Sequence, residues 1–461
     1  MIRYLPAFGA LLWGLRLSAA APAGIEVVEA GTGWPVPLVE LRTTHHLRFV
    51  TDNAGWIAVD APEVLGREVW FDVVGHGYEV PKDGFGYRGV RLTLEPGRNA
   101  RVEVRRTAIA RRIGRLTGGG QYAESAKLGR PAESDSAPGV FGCDSVQNAV
   151  YQGQLFWFWG DTTLPHYPLG IFDMTGARTS IRPLESFEPP LRLKFDLFRD
   201  ATGRPRGMAK MPGSGPTWIT GVASLPDRNG TTRLVCSFAK IRPPLDAYQW
   251  GLAVWDDETQ GFRQHRILWT HSAETPKPPA VPEGHPARWK DSDGRDWLLF
   301  GDPFPALRCR AEFEAWENPS AWETLSPDRV LTGAGPDPAT DAGAKVEAHR
   351  GSIDWNPWRK RWVTVFGRKG GSSLLGEVWY AEADSPLGPW GPAVRILSHE
   401  KQSFYNPRLH PEFTGAASPQ LFFEGTYTIS FSGNQQPTPR YEYNQILYRL
   451  DLDDPRLAAA R

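Results

Sequence analysis

An aromatic strand returns five times along this chain, and that recurrence limits the folds open to it. "QLFWFWGDTT" (154–163), "TRLVCSFAKI" (232–241), "RDWLLFGDPF" (295–304), "KRWVTVFGRK" (360–369) and "PQLFFEGTYT" (419–428) share a strongly apolar run ending near a glycine or a charged residue. Further candidate strands such as "WGLAVWDDE" and "NQILYRLDLDDP" lie between or after them. A unit repeated at a period of about 50 residues cannot bury its apolar face alone, so neighbouring copies must stack as a propeller or a solenoid. Polar and Pro-rich excursions between the copies disfavour a regular solenoid. A closed ring of four-stranded blades also leaves few free strand edges. Residues 138–454 are therefore expected to form a five-bladed β-propeller.

The 461 residues exceed one ordinary core, and a second unit is legible ahead of the repeats. Over 24–107 the chain alternates short strands ("IEVVEA", "LRFVTD", "WIAVDAP", "EVWFDVVG", "VRLTLEPG") with Gly, Pro and Asp-Asn-Ala-Gly turns. This predicts a small antiparallel β-sandwich. The order of its turns, through "VEAGTGWPVPLVELRTT" and "RLTLEPGRNARVEVRR", resembles carboxypeptidase-regulatory-like domains, and that resemblance implies an accessory module without catalysis. Residues 108–137, with "GGGQYAESAKLGRPAESDSAPG", read as a linker. The all-β class agrees with 48 Gly, 41 Pro and 12% aromatic residues, a mixture suited to short strands and tight turns.

Residues 1–23 have the outline of a secretory signal peptide, with Arg3 ahead of a short apolar run and small residues at its end. Secretion or a periplasmic location is the corresponding expectation. No later apolar segment approaches membrane-spanning length, so no membrane insertion is expected. Lys plus Arg and Asp plus Glu both number 52, which leaves no net field to attract nucleic acid. Cys143, Cys236 and Cys309 sit in no metal-ligand spacing. An oxidising compartment would allow one pair to bridge, and buried thiols are the alternative. Oligomeric state is not legible.

Inner strands of a propeller line its central channel, so the polar residues near them are the candidates for chemistry. Asp144 precedes the first aromatic strand and Asp161 follows it. Asp161 is equally an Asx-turn acid, a reading strengthened by Asp302 in the matching "FGDPF". "SGPTWITGVAS" offers Trp218, "EGHPARWKD" offers His285, Arg288 and Lys290, and "QSFYNPRLHPEF" offers Tyr405 and Asn406. "VEAHRGSIDW" gathers Glu347, His349 and Arg350. Alternation along a strand would place Glu347 and His349 on one face and Arg350 on the other.

The stretch "GCDSVQNAVYQGQLFWFWGDTT", the five aromatic strands and the acid-bearing segment of a later blade resemble the five-bladed β-propeller glycosidases, the arabinanase, β-xylosidase and invertase superfamily. The tail from "FYNPRLHPEF" onward is similar to a group of secreted bacterial proteins without assigned chemistry. The glycosidase resemblance implies three essential carboxylates on the first three blades. Asp144 matches the first, Glu347 is taken as the proton donor, and Asp161 joins them as a third catalytic acid. Trp218, Arg288, His349, Arg350, Tyr405 and Asn406 are then substrate-binding candidates. Two departures stand out: Glu347 falls in blade four, and "TWITG" of blade two carries no acid. A secreted hydrolase of polysaccharides or oligosaccharides, needing no cofactor beyond a structural Ca²⁺ on the axis, is the first expectation. The alternatives are a polysaccharide lyase using His349, Tyr405, Arg350 and Arg288, and a glycan-binding protein without catalysis.

Overall fold

A computed structural model describes residues 21–184, 187–334, 342–437 and 442–461. The segment read as a signal peptide lies almost wholly outside the described residues. Nearly every described element is a strand. The exceptions are two one-turn α-helices, Ala123–Lys127 and Phe313–Trp316, and short 3-10 turns. None is long and apolar enough to cross a membrane.

Five sheets make the propeller. Their inner strands are Gln147–Tyr151, Thr217–Pro226, Ala287–Lys290, Lys345–Asn356 and Ser403–Leu409. The strand that follows each inner strand is one of the five aromatic runs, paired antiparallel with it. These runs are buried on both faces because blades stack on both sides of them. In blade one, Trp157 and Trp159 are wholly buried, and the Trp157 indole N–H donates to Thr179 Oγ1 at 2.8 Å. Its apolar area is thus removed from water without stranding its donor.

The ring closes through a segment that the sequence assigns to a linker. Residues 108–137 contain the strand Arg111–Arg115, which pairs antiparallel with Asn444–Asp451 and becomes the outer strand of blade five. Chain ends far apart in sequence therefore share one sheet, and the ring has no loose blade. A linker reading overlooked this because "RRIGR" is charged, yet the whole strand is buried.

The sandwich has two four-stranded sheets over a shared apolar core. It is not purely antiparallel: Ala23–Glu29 runs parallel to Asn99–Arg106. It docks on the closing strand of blade five. Glu29 pairs with Arg111 at 3.0 Å, and Asn53 bonds the Arg115 backbone in both directions, at 3.0 and 3.1 Å. The three cysteines are buried free thiols.

Candidate active site

Each inner strand begins at the same end of the channel. There a depression of 560 Å³ opens, lined by Asp144, Trp218, Glu283, Asp302, His349, Arg350, Tyr405 and Asn406, among others. Four of the five blades contribute these side chains directly, with Asp144 entering just ahead of the first inner strand.

Asp144 is held by its neighbours from blades one and five. The Tyr405 hydroxyl donates to its Oδ2 at 2.8 Å, and the Tyr443 hydroxyl and the Asp161 backbone N–H also bond it. Burial raises its pKa, and these donors pull it back toward the charged form. Gly160 is required beside it, since a Cβ there would lie 2.0 Å from Asp144 Oδ1. Ser145, Asn406 and Tyr443 all adopt positive φ (48°, 53° and 58°). Three non-glycine residues in this sparsely populated region around one carboxylate indicate backbone strain held by the surrounding packing.

Glu283 is the acid that sequence reasoning missed, although it opens the quoted stretch "EGHPARWKD". It stands just before the inner strand of blade three, much as Asp144 stands before that of blade one. Its loop is stitched to a bulge in blade two: Gly284 N–H donates to Thr220 Oγ1 at 2.8 Å, and Gly221 N–H donates to the Gly284 carbonyl at 3.0 Å. Gly284, at φ +84°, has no room for a side chain, because a Cβ would meet the Gly301 carbonyl at 1.9 Å. Glu283 is open to the depression, yet the walls around it still desolvate it and raise its pKa, against the pull of Arg350 and Arg329. The position of this acid relative to the strand, matching that of Asp144, was the signal available in the sequence.

Asp302 opens the hairpin turn of blade three, accepts from Gly351 N–H at 2.8 Å and lies 3.5 Å from Arg350 Nε. Burial carries its pKa up to about 6, with Arg350 opposing and Glu283 adding to the rise. The Arg350 guanidinium thus acts on Asp144, Glu283 and Asp302 together. His349 is held down to about 4 by burial and the adjacent arginines, so its imidazole is neutral at pH 7.

Several expectations are corrected. Glu347 does not enter the depression; it is exposed and pairs with Lys369 Nζ at 3.2 Å. A bulge between Ala348 and Gly351 breaks the alternation, so His349 and Arg350, expected on opposite faces, both line the depression. Asp161 lies beside the depression without lining it. It accepts the Trp218 indole N–H at 3.1 Å, and burial followed by the Asp144 charge pushes it up to about 6. Arg288 points between blades two and three, donating to the Ser224 carbonyl. Trp218, His349, Arg350, Tyr405 and Asn406 line the depression. Among the described residues no group of three or more His, Cys, Asp or Glu is arranged to hold a metal, so the axial Ca²⁺ has no such ligand set.

Fold and site together define a five-bladed propeller with carboxylates gathered at one mouth. No protein-family profile and no curated protein matches the chain. Solved structures do align with it. An exo-1,5-α-L-arabinanase from a bovine ruminal metagenomic library aligns at 11% identity and a TM-score of 0.39, over 69% of this chain and 95% of that one. An exo-β-1,3-galactanase from Phanerochaete chrysosporium aligns at 11% and 0.41, over 74% and 65%. A GH43_1 enzyme from Xanthomonas citri aligns at 14% and 0.35, over 67% and 87%. At such identities and TM-scores the alignments carry nothing about this chain's chemistry.

Proposed function

We propose that this protein is a glycoside hydrolase working at the mouth of its propeller, with Glu283 as general acid and Asp144 as the partner carboxylate. The observation that carries this reading is the convergence of Asp144 and Glu283, from blades one and three, on one depression where their surroundings differ. Asp144 receives hydrogen bonds from Tyr405, Tyr443 and Asp161, which favour its ionised form. Burial raises both carboxyls, and at Glu283 only the charges of Arg350 and Arg329, with no hydrogen-bond donor among the described residues, oppose the rise. Two carboxyl groups at one mouth in such different surroundings can share acid and base duties. Glu283 gives its proton to the glycosidic oxygen as the bond to the anomeric carbon breaks. Asp144 then either takes a proton from the attacking water or attacks that carbon itself, and product stereochemistry separates the two. Arg350 and Asp302 set the charge balance between them.

A carbohydrate substrate is part of this proposal, as is export to the periplasm or beyond. A lyase is the second reading, favoured by the neutral His349 beside Arg350 in the same depression. The test is a panel of polysaccharides and oligosaccharides assayed for new reducing ends and for absorbance of unsaturated products. New reducing ends without that absorbance, lost in both Glu283→Gln and Asp144→Asn, support the hydrolase. Unsaturated products overturn it in favour of the lyase.

A further inference from the structure

The charged groups described above come from blades one, three and four, with Tyr405 and Asn406 from blade five, while blade two supplies a wall of different character. Trp218, Ala239 and Trp250 are direct partners across its first three strands. Directly paired residues of an antiparallel sheet share a face. They therefore form a row in which an alanine methyl is flanked by two indoles, and all three line the depression. One step further toward the turn, Ile241 pairs with Ala247 on the same lining. The hairpin then carries Leu245 over the mouth at 69% exposure. The second and third strands of this blade, eleven residues each, are longer than their six- to nine-residue counterparts in the other blades. This length is what extends the wall. Across the opening, Phe431 and Leu374 are also exposed, at 59% and 49%.

Sugar hydroxyls gain little from an aliphatic lip, and exposed large apolar side chains concentrated at one mouth mark a surface meant to be covered. We infer that the slot floored by Ala239 between Trp218 and Trp250 and capped by Leu245 binds an alkyl or aryl group attached to the sugar. The substrate class is then an amphipathic glycoside, bearing its apolar group as an aglycone or as an ester on a hydroxyl. This inference rests on the proposed carbohydrate function of the same depression. Each pair of methylenes buried there should tighten binding on the order of tenfold.

The experiment is a calorimetric titration with methyl glycosides, octyl glycosides below their micelle-forming concentration, and benzoylated methyl glycosides of arabinose, galactose, xylose and glucose. For at least one sugar the octyl or benzoylated form should bind at least tenfold more tightly than the methyl form. An octyl preference identifies an aglycone, and a benzoyl preference identifies an ester. Ala239→Phe fills the slot and should collapse the preference. Leu245→Ser, at an exposed position that folding does not need, should reduce it several-fold. Affinity independent of the apolar group, a preference that persists in both variants, or no binding by any probe would each overturn the inference. Hydrolysis is read separately on the same panel. Cleavage without preference removes only the apolar slot, and preference without cleavage removes only the acid–base assignment.

Discussion

The propeller axis carries two layers of ionisable groups, and they differ in what surrounds them. At the mouth, Asp144, Glu283, Asp302, His349 and Arg350 face a 560 Å³ depression. Deeper in the ring lie Asn148 and Arg408 on inner strands, His285 and His410 next to inner strands, and Glu424 on the second strand of blade five, all buried. There Arg408 Nε donates to Asn148 Oδ1 at 3.1 Å, Asn148 contacts His410 at 3.2 Å, and His410 lies 3.5 Å from Glu424. Burial pushes Glu424 up, with Arg408 opposing, and pushes His410 down, with Arg408 adding to the fall. Crowded, pKa-shifted residues thus occur in both layers, and the shift alone does not mark a catalytic site. Access does. The deep layer holds the blades together, while the mouth keeps its carboxylates within reach of a ligand.

The comparison breaks most visibly under Glu283→Gln and Asp144→Asn. Each should lower kcat by about a thousandfold or more on any glycoside the protein cleaves, with the unfolding temperature nearly unchanged. A loss of folding with intact specific activity would place these acids with the deep layer instead. The converse test is Arg408→Met. It removes the cation that Glu412, Glu424 and Asp354 face, and should cost about 3–5 kcal/mol of stability in thermal or denaturant unfolding.

A smaller effect separates the layers by pH. Burial lifts Asp161 from 3.8 to about 6, so between those values the folded chain holds a proton that the unfolded chain has released. Its contribution is therefore fully present below pH 3.8 and is lost as pH rises through about 6. Asp161→Asn, which keeps an oxygen for the Trp218 indole, should raise the unfolding temperature by about 2–4 °C at pH 7–8 and leave it unchanged near pH 3.5. A variant less stable than the parent at pH 8 would show that the charged form is the stabilised one. The smallest expected effect is that of Glu347→Gln, whose exposed pair with Lys369 should contribute less than about 0.5 kcal/mol. A large loss of activity there would return the acid role to blade four.

Periodicity, with the polar and Pro-rich excursions between the copies, pointed to the ring of five. The period required neighbouring copies to stack as a propeller or a solenoid, and the excursions disfavoured the solenoid. The same local logic placed Asp144 at the head of the first inner strand and Tyr405 on the inner strand of blade five. What the chain could not disclose locally depended on contacts between distant segments. Arg111–Arg115 reads as charged and solvated, yet it closes the ring because its partner strand, Asn444–Asp451, arrives some 330 residues later. Glu347 and Glu283 each head a plausible acid motif. The bulge at 348–351, and the stitching of Gly284 to Thr220 on a neighbouring blade, decide which of them faces the depression. Side-chain direction on a strand flips with a one-residue irregularity, so the selection between two acids was made by tertiary register and not by residue type.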